Sequence, residues 1–152
     1  MIVNFKDTDN KISGPFLEQP NAVDVPLDKV FKIEDTEFFI DAQNNKTHRI
    51  KTEIIPEDGF WVLEPGCYEI ETSCAVQIAS GYCGYLKTRS TFVRNGCFVQ
   101  SGLYDSGYSG VVGGILVVNC GNLKIQRGTR IAQFILEECQ CSYLYNGSYG
   151  NK

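Results

Sequence analysis

The residues most able to do chemistry lie in three short stretches. Gly102-Leu103-Tyr104-Asp105-Ser106-Gly107-Tyr108-Ser109-Gly110 sets one acid among three glycines and two tyrosines. Glycine has no side-chain bulk, so such a turn can bring backbone N–H and C=O groups up to the edge of a planar ligand. An aspartate at its rim could hold a water molecule and take its proton. Aspartate beside serine and glycine is also a common Asx-turn former, so this stretch alone leaves both readings open. Lys87-Thr88-Arg89-Ser90-Thr91-Phe92-Val93-Arg94 spaces two arginines five residues apart with hydroxyls between them. Guanidinium forks and hydroxyls suit the oxygens of a polyphosphate, and equally suit a solvated loop. In Gly128-Thr129-Arg130-Ile131-Ala132-Gln133-Phe134, the polar Gln133 interrupts an apolar strand start, where a glutamine ordinarily faces solvent.

These stretches need a scaffold, and composition defines its class. The 152 residues suffice for one domain with a real core, and 43% hydrophobic with 21% charged residues is an ordinary globular balance. Fifteen glycines and regular turn signals point to a β-rich chain. Strands are expected at Phe38–Ile40, Ile50–Ile55, Phe60–Leu63, Tyr68–Ile70, Ala75–Ile78, Tyr85–Lys87, Phe98–Gln100, Ile115–Val118 and Arg130–Leu136. Helical periodicity is nearly absent, and Thr88–Val93 allows a turn or two at most. Many short strands between turns read as a sandwich, jelly roll or closed barrel. A net charge of −4 argues against a polymeric nucleic-acid partner, which needs a basic face. No apolar run approaches the roughly 20 residues that span a membrane, and the N-terminus lacks a secretion signal's apolar core, so a cytoplasmic location is expected. Seven cysteines and one histidine lack zinc-site spacing, and the cysteines are expected to be mostly small buried hydrophobes kept as thiols.

Read in order, the stretches resemble the motifs of the dUTPase and dCTP deaminase superfamily. Gln19-Pro20-Asn21-Ala22-Val23-Asp24 is similar to its first motif, and Arg89-Ser90 with Arg94 to its second. Gly102–Gly110, leading to Asn119, is similar to the third and Gly128–Gln133 to the fourth. The resemblance covers about residues 14–140 and implies an all-β fold, a distorted jelly roll or β-clip barrel. It also implies a homotrimer with active sites at subunit boundaries, binding a deoxyuridine or deoxycytidine triphosphate with Mg²⁺. Carried onto these positions, Asp105 activates the attacking water, and Tyr108 lies under the deoxyribose. Arg89, Ser90, Arg94 and Gln133 bind phosphates, and Asp24 supports the metal or its waters. The backbone of Gly102, Leu103 and Tyr104 would read the base edge.

The superfamily's deaminases carry a glutamate ten residues beyond the aspartate, where this chain has Ile115, and Val111–Val118 contains no acid. That favours hydrolysis of dUTP to dUMP and pyrophosphate. A dCTP deaminase-like enzyme, or a non-catalytic nucleotide-binding or protein-regulating module, are the alternatives. The stretch from Asp105 to Asn119 is one residue longer than either branch, with a bulge expected at Gly113-Gly114. Thr91 stands where the hydrolases carry glycine, and the arginine of their fifth motif is missing. The tail, residues 143–152, divides from the 1–142 domain. It is either a frayed end or a mobile lid on which Tyr145 or Tyr149 stacks on the base. The mixed motifs and compact size are similar in style to viral, phage-like members, for which the location would be the host cytoplasm.

Overall fold

The computed structural model describes residues 1–150. Fourteen strands run in chain order: β1 (Ile2–Val3), β2 (Lys11–Ser13), β3 (Leu17–Glu18), β4 (Val23–Ile33), β5 (Phe39–Ile40), β6 (Lys46–Thr47) and β7 (Lys51–Ile54), then β8 (Phe60–Leu63), β9 (Gly66–Gln77), β10 (Tyr82–Thr88), β11 (Cys97–Gln100), β12 (Ser109–Val118), β13 (Leu123–Gln126) and β14 (Arg130–Glu138). A 3₁₀ turn at Phe5–Asp7 and one short helix, α1 (Ser90–Arg94), complete the elements. The fold is all-β, of the distorted jelly-roll type expected. Its main sheet has ten strands, with the path β1-β14-β4-β9-β12-β11; β10 pairs with β14, β2 with β9, and β3 and β7 with β4.

Alternation along the long strands makes the core. In β9 the side chains of Ile70, Thr72, Cys74 and Val76 turn inward while their neighbours stay partly exposed. They meet Val25, Leu27 and Val30 of β4, Val112 and Leu116 of β12, and Phe134 and Leu136 of β14. Burying such side chains stabilises the fold by roughly 1.5–3 kcal/mol each. Trp61, also in the core, donates its indole N–H to the Ile54 carbonyl at 2.7 Å.

Two expected segments, Tyr68–Ile70 and Ala75–Ile78, belong to one continuous strand, β9. The long β4 lay hidden because Asp24, Pro26, Asp28 and Lys29 break its apolar run. Proline in a strand needs a place where the ladder is interrupted. Pro26 has one, at the register shift between Arg130 and Ala132 of β14. The expected bulge also lies elsewhere in detail. The register of β12 against β9 shifts between Val111 and Gly113, but the surplus residues are on β9, Thr72 to Cys74 facing Val112. There the Thr72 hydroxyl donates to the Val112 carbonyl at 2.8 Å and accepts from the Cys74 N–H at 3.2 Å, filling gaps in the ladder. Gly14 (φ +97°) passes so close that a Cβ would lie 2.2 Å from the Ser73 carbonyl oxygen, so only glycine fits. All seven cysteines are free thiols, but only Cys74 and Cys97 are fully buried, and Cys67 and Cys120 are exposed. The buried-hydrophobe expectation therefore holds for two of them. Among the described residues, no helix is long and apolar enough to cross a membrane.

Candidate active site

The phosphate-binding candidates come together. A cavity of about 670 Å³ is lined by Arg89, Ser90, Arg94, Gln133 and Asp24, joined by Gln19, Lys87 and Arg130. Pairing across three strands explains the convergence. Gln133 of β14 stands opposite Lys87 of β10 on one side and Asp24 of β4 on the other. Arg89 caps α1, which turns Ser90 and Arg94 over the same opening. Four cations therefore face one carboxylate on a chain whose net charge is negative. Such a concentration of positive charge marks a polyanion site.

That carboxylate is almost wholly buried, with Asp24 only 2% exposed. Its Oδ2 accepts from Gln19 Nε2 at 3.0 Å and pairs with Arg130 Nη1 at 3.1 Å and, more loosely, with Arg89 Nε at 3.8 Å. Arg89 Nη1 also donates to the Arg130 carbonyl at 2.6 Å. Asp24 thus fixes both guanidinium groups, while its Oδ1 is buried without a partner among the described residues. Arg130 and Lys87 both lie within the quoted stretches, and their part in the pocket becomes visible once the β4–β14 and β10–β14 registers are known.

The nucleoside-binding candidates also converge, in a second cavity. Gly102, Leu103, Tyr104, Tyr108, Tyr145 and Tyr149 line a space of about 590 Å³. Tyr108 is buried, its hydroxyl donating to the Val111 carbonyl at 2.9 Å. Its ring meets Tyr104 edge-on at 4.9 Å between centroids and Tyr145 at 5.5 Å. Burial pushes the Tyr104 phenol up to about 12 and holds that of Tyr108 above its ordinary value. Two acids also enter this cavity, Glu69 and Glu71 of β9. Glu69 is paired with Lys51 at 2.9 Å. The acid-free β12 therefore does not leave the cavity acid-free, because a neighbouring strand supplies what β12 lacks.

Asp105 is exposed, and its carboxylate takes no hydrogen bond from the described residues, so it can accept from a water. The backbone around it is tied down. Tyr104 exchanges both backbone bonds with Gly84, at 2.9 and 2.7 Å, and Gly107 N–H donates to Ile78 at 2.8 Å. Asp105 lines a third cavity with Cys83, Cys139, Cys141 and the tail. Burial, then the hydrogen bond with Cys139, pushes the Cys83 thiol up to about 11, so at neutral pH it stays protonated.

The tail folds back over this hairpin. Tyr145 N–H donates to the Ser106 carbonyl at 2.7 Å, and Tyr149 N–H to the Tyr145 hydroxyl at 2.9 Å. Gly107, at φ +91°, makes room: a Cβ there would meet Leu144 Cβ at 2.9 Å. Lys46 of β6 lies 5.6 Å from the Tyr149 ring centroid.

The two clusters stay apart within one chain. Asp105 lies beside Cys83, and Arg89 follows six residues further along β10. At ~3.3 Å per strand residue that is about 20 Å, far longer than a triphosphate. As for a resident metal, no cluster of three or more His, Cys, Asp or Glu among the described residues is placed to hold one. Asp24 is already faced by two guanidinium groups, so this donor set does not fit a metal held by the protein alone.

The fold and these clusters suit a nucleotide-directed β domain. The dCTP deaminase-like family model matches residues 4–139, and the chain belongs to that family. Within it, the chain is 31% identical over 137 residues to a protein of Halobacterium salinarum named probable deoxyuridine 5′-triphosphate nucleotidohydrolase, covering 86% of this chain and 81% of that protein. A protein of the same name from Aeropyrum pernix is 31% identical over 134 residues, covering 86% and 83%. Among solved structures, the dUTPase of Staphylococcus bacteriophage 80alpha superposes with a TM-score of 0.58 at 16% identity, over 94% of this chain and 98% of that one. The 2′-deoxycytidine 5′-triphosphate deaminase of Agrobacterium tumefaciens gives a TM-score of 0.61 at 16% identity, over 87% of this chain and 44% of that one. These two likenesses concern the fold. The two sequence relatives named here are archaeal.

Proposed function

We propose that the chain hydrolyses dUTP to dUMP and pyrophosphate. The observation that carries this reading is the pair of clusters: an unencumbered Asp105 on a backbone-rich hairpin, and a four-cation pocket fixed by Asp24. The family membership and the names of the relatives point the same way. Asp105 orients a water toward the α-phosphorus and takes its proton. Arg89, Ser90, Arg94 and Gln133, with Lys87 and Arg130, hold the phosphates and offset the charge that develops there. Tyr108 lies beneath the deoxyribose, and the Gly102–Tyr104 backbone reads the base. Mg²⁺, bound with the triphosphate between the phosphate-holding side chains, would supply further charge neutralisation; Asp24 serves the pocket by positioning arginines.

The separation of about 20 Å along β10 means that Asp105 and Arg89 of one chain serve different sites. The working site therefore combines copies, as in a homotrimer with sites at subunit boundaries. Substituting Asp105→Asn should lower pyrophosphate release from dUTP by about 10²–10⁴ while nucleotide binding is retained. Unchanged turnover in that variant would remove the mechanism. Glu71, whose carboxylate has no hydrogen bond or ion pair among the described residues, favours one second reading, attack at an amino-bearing base. Ammonia release from dCTP, abolished in Glu71→Gln, would establish deamination instead.

A further inference from the structure

Strands β11 and β12 pair from Cys97↔Val118 to Gln100↔Ile115 and then part. Continued by two residues, the ladder would set Gly102 opposite Gly113. The chain instead leaves the sheet after Gln100 and returns at Tyr104. There the Tyr104 hydroxyl accepts from the Gly113 N–H at 2.8 Å and donates to the Gly113 carbonyl at 2.6 Å. One N–H and one C=O bonded together is what an opposing residue supplies at a closely hydrogen-bonded position of an antiparallel ladder. The phenol takes the seat of the missing strand residue.

The rest of the residue holds it there. The ring packs against Tyr108 at 4.9 Å and Phe134 at 5.5 Å, and its main chain exchanges two bonds with Gly84. What it keeps out of the ladder is Gly102 and Leu103. Leu103 is 58% exposed; its N–H and C=O and the Gly102 N–H take no partner among the described residues, and the Gly102 carbonyl accepts only from the Ser101 hydroxyl, at 2.7 Å. Asp105 is the next residue along.

We propose that the Tyr104 phenol is a specificity-determining wedge: it holds β11 unzipped at Gly113, which keeps the Gly102–Leu103 backbone available to the base and sets the position of Asp105. This rests on the dUTP reading. Without the hydroxyl, Gly113 would have an unpaired N–H and C=O in a half-buried strand, a state that favours finding a new partner. The nearest is the chain at Gly102, and pairing with it closes the edge that distinguishes one pyrimidine from another. Tyr104 is thus a positioning residue that acts through the backbone beside it.

The test compares Tyr104→Phe with the native full-length chain, measuring pyrophosphate release from dUTP, dCTP and dTTP with Mg²⁺ and backbone hydrogen exchange. The variant should lose about tenfold or more in kcat/KM for dUTP, because an unpaired polar group is a strong discriminator. Its preference for dUTP over dCTP should narrow by a similar factor, and the Gly102 amide should gain protection. A folded variant with a lower Tm but unchanged preference would reduce Tyr104 to a packing residue and overturn the proposal. If the native protein turns over none of the three, the dUTP reading fails, and Gly102 amide protection in the variant still decides the wedge. Should the variant not fold, the native protein decides: the Gly113 amide should be protected and the Gly102 amide fast, and the reverse order overturns the wedge.

Discussion

At the residue scale, the site is organised by side chains that act on other side chains. Asp24 keeps two guanidinium groups side by side that would otherwise repel, so the empty pocket is stable before any phosphate enters. Tyr104 does the equivalent for the hairpin with an uncharged group, and that carries a pH signature. Its phenol is pushed from an ordinary value of 10.0 up to about 12 by burial, so the fold favours the protonated form. The stability it contributes is fully present below pH 10 and is lost as pH rises through 12. Melting curves taken across that window should show the Tm gap between native protein and Tyr104→Phe closing. A constant gap would mean that the hydroxyl is not the group at work.

At the element scale, the tail is the piece whose behaviour most needs measuring. It is tied to the hairpin by the Tyr145–Ser106 bond, the Tyr145–Tyr108 ring contact and the passage of Leu144 over Gly107. None of these is a sheet-ladder bond, although Tyr145 packs against the core at Tyr108, so removing residues 143–152 should reduce turnover much more than it lowers Tm. Gly107→Ala should imitate the truncation, because its Cβ occupies the space of Leu144. Equal turnover in native, truncated and Gly107→Ala proteins would leave the tail no part in the reaction. Much of this was legible in the sequence. Strands such as Phe60–Leu63 and Arg130–Leu136 have plain apolar patterns, and the glycine-rich hairpin announces itself. β4 was not legible, because its charged and proline positions obey a bulge and a buried ion pair rather than alternation. Nor were Lys87 and Glu71, which gain meaning only from the residues opposite them on other strands.

At the scale of the whole molecule, the distance between Asp105 and Arg89 allows a direct test of shared sites. Asp105→Asn and Arg89→Ala copies should each be inactive alone. Mixed under conditions of subunit exchange, they should recover roughly a quarter of native turnover, since one site in four then draws both intact halves. No recovery from mixed and exchanged assemblies would place both residues in one chain's site. The same geometry bears on inheritance. If sites are shared as proposed, a copy that assembles with both halves damaged would spoil two sites, one of which a neighbour could otherwise complete. Alleles that damage both Asp105 and Arg89 but leave assembly intact should act dominantly over a normal copy. Only about one site in four of a mixed assembly then keeps both halves, whereas loss of Asp105 alone costs one site per damaged copy. Alleles that prevent folding never enter the assembly and should be recessive.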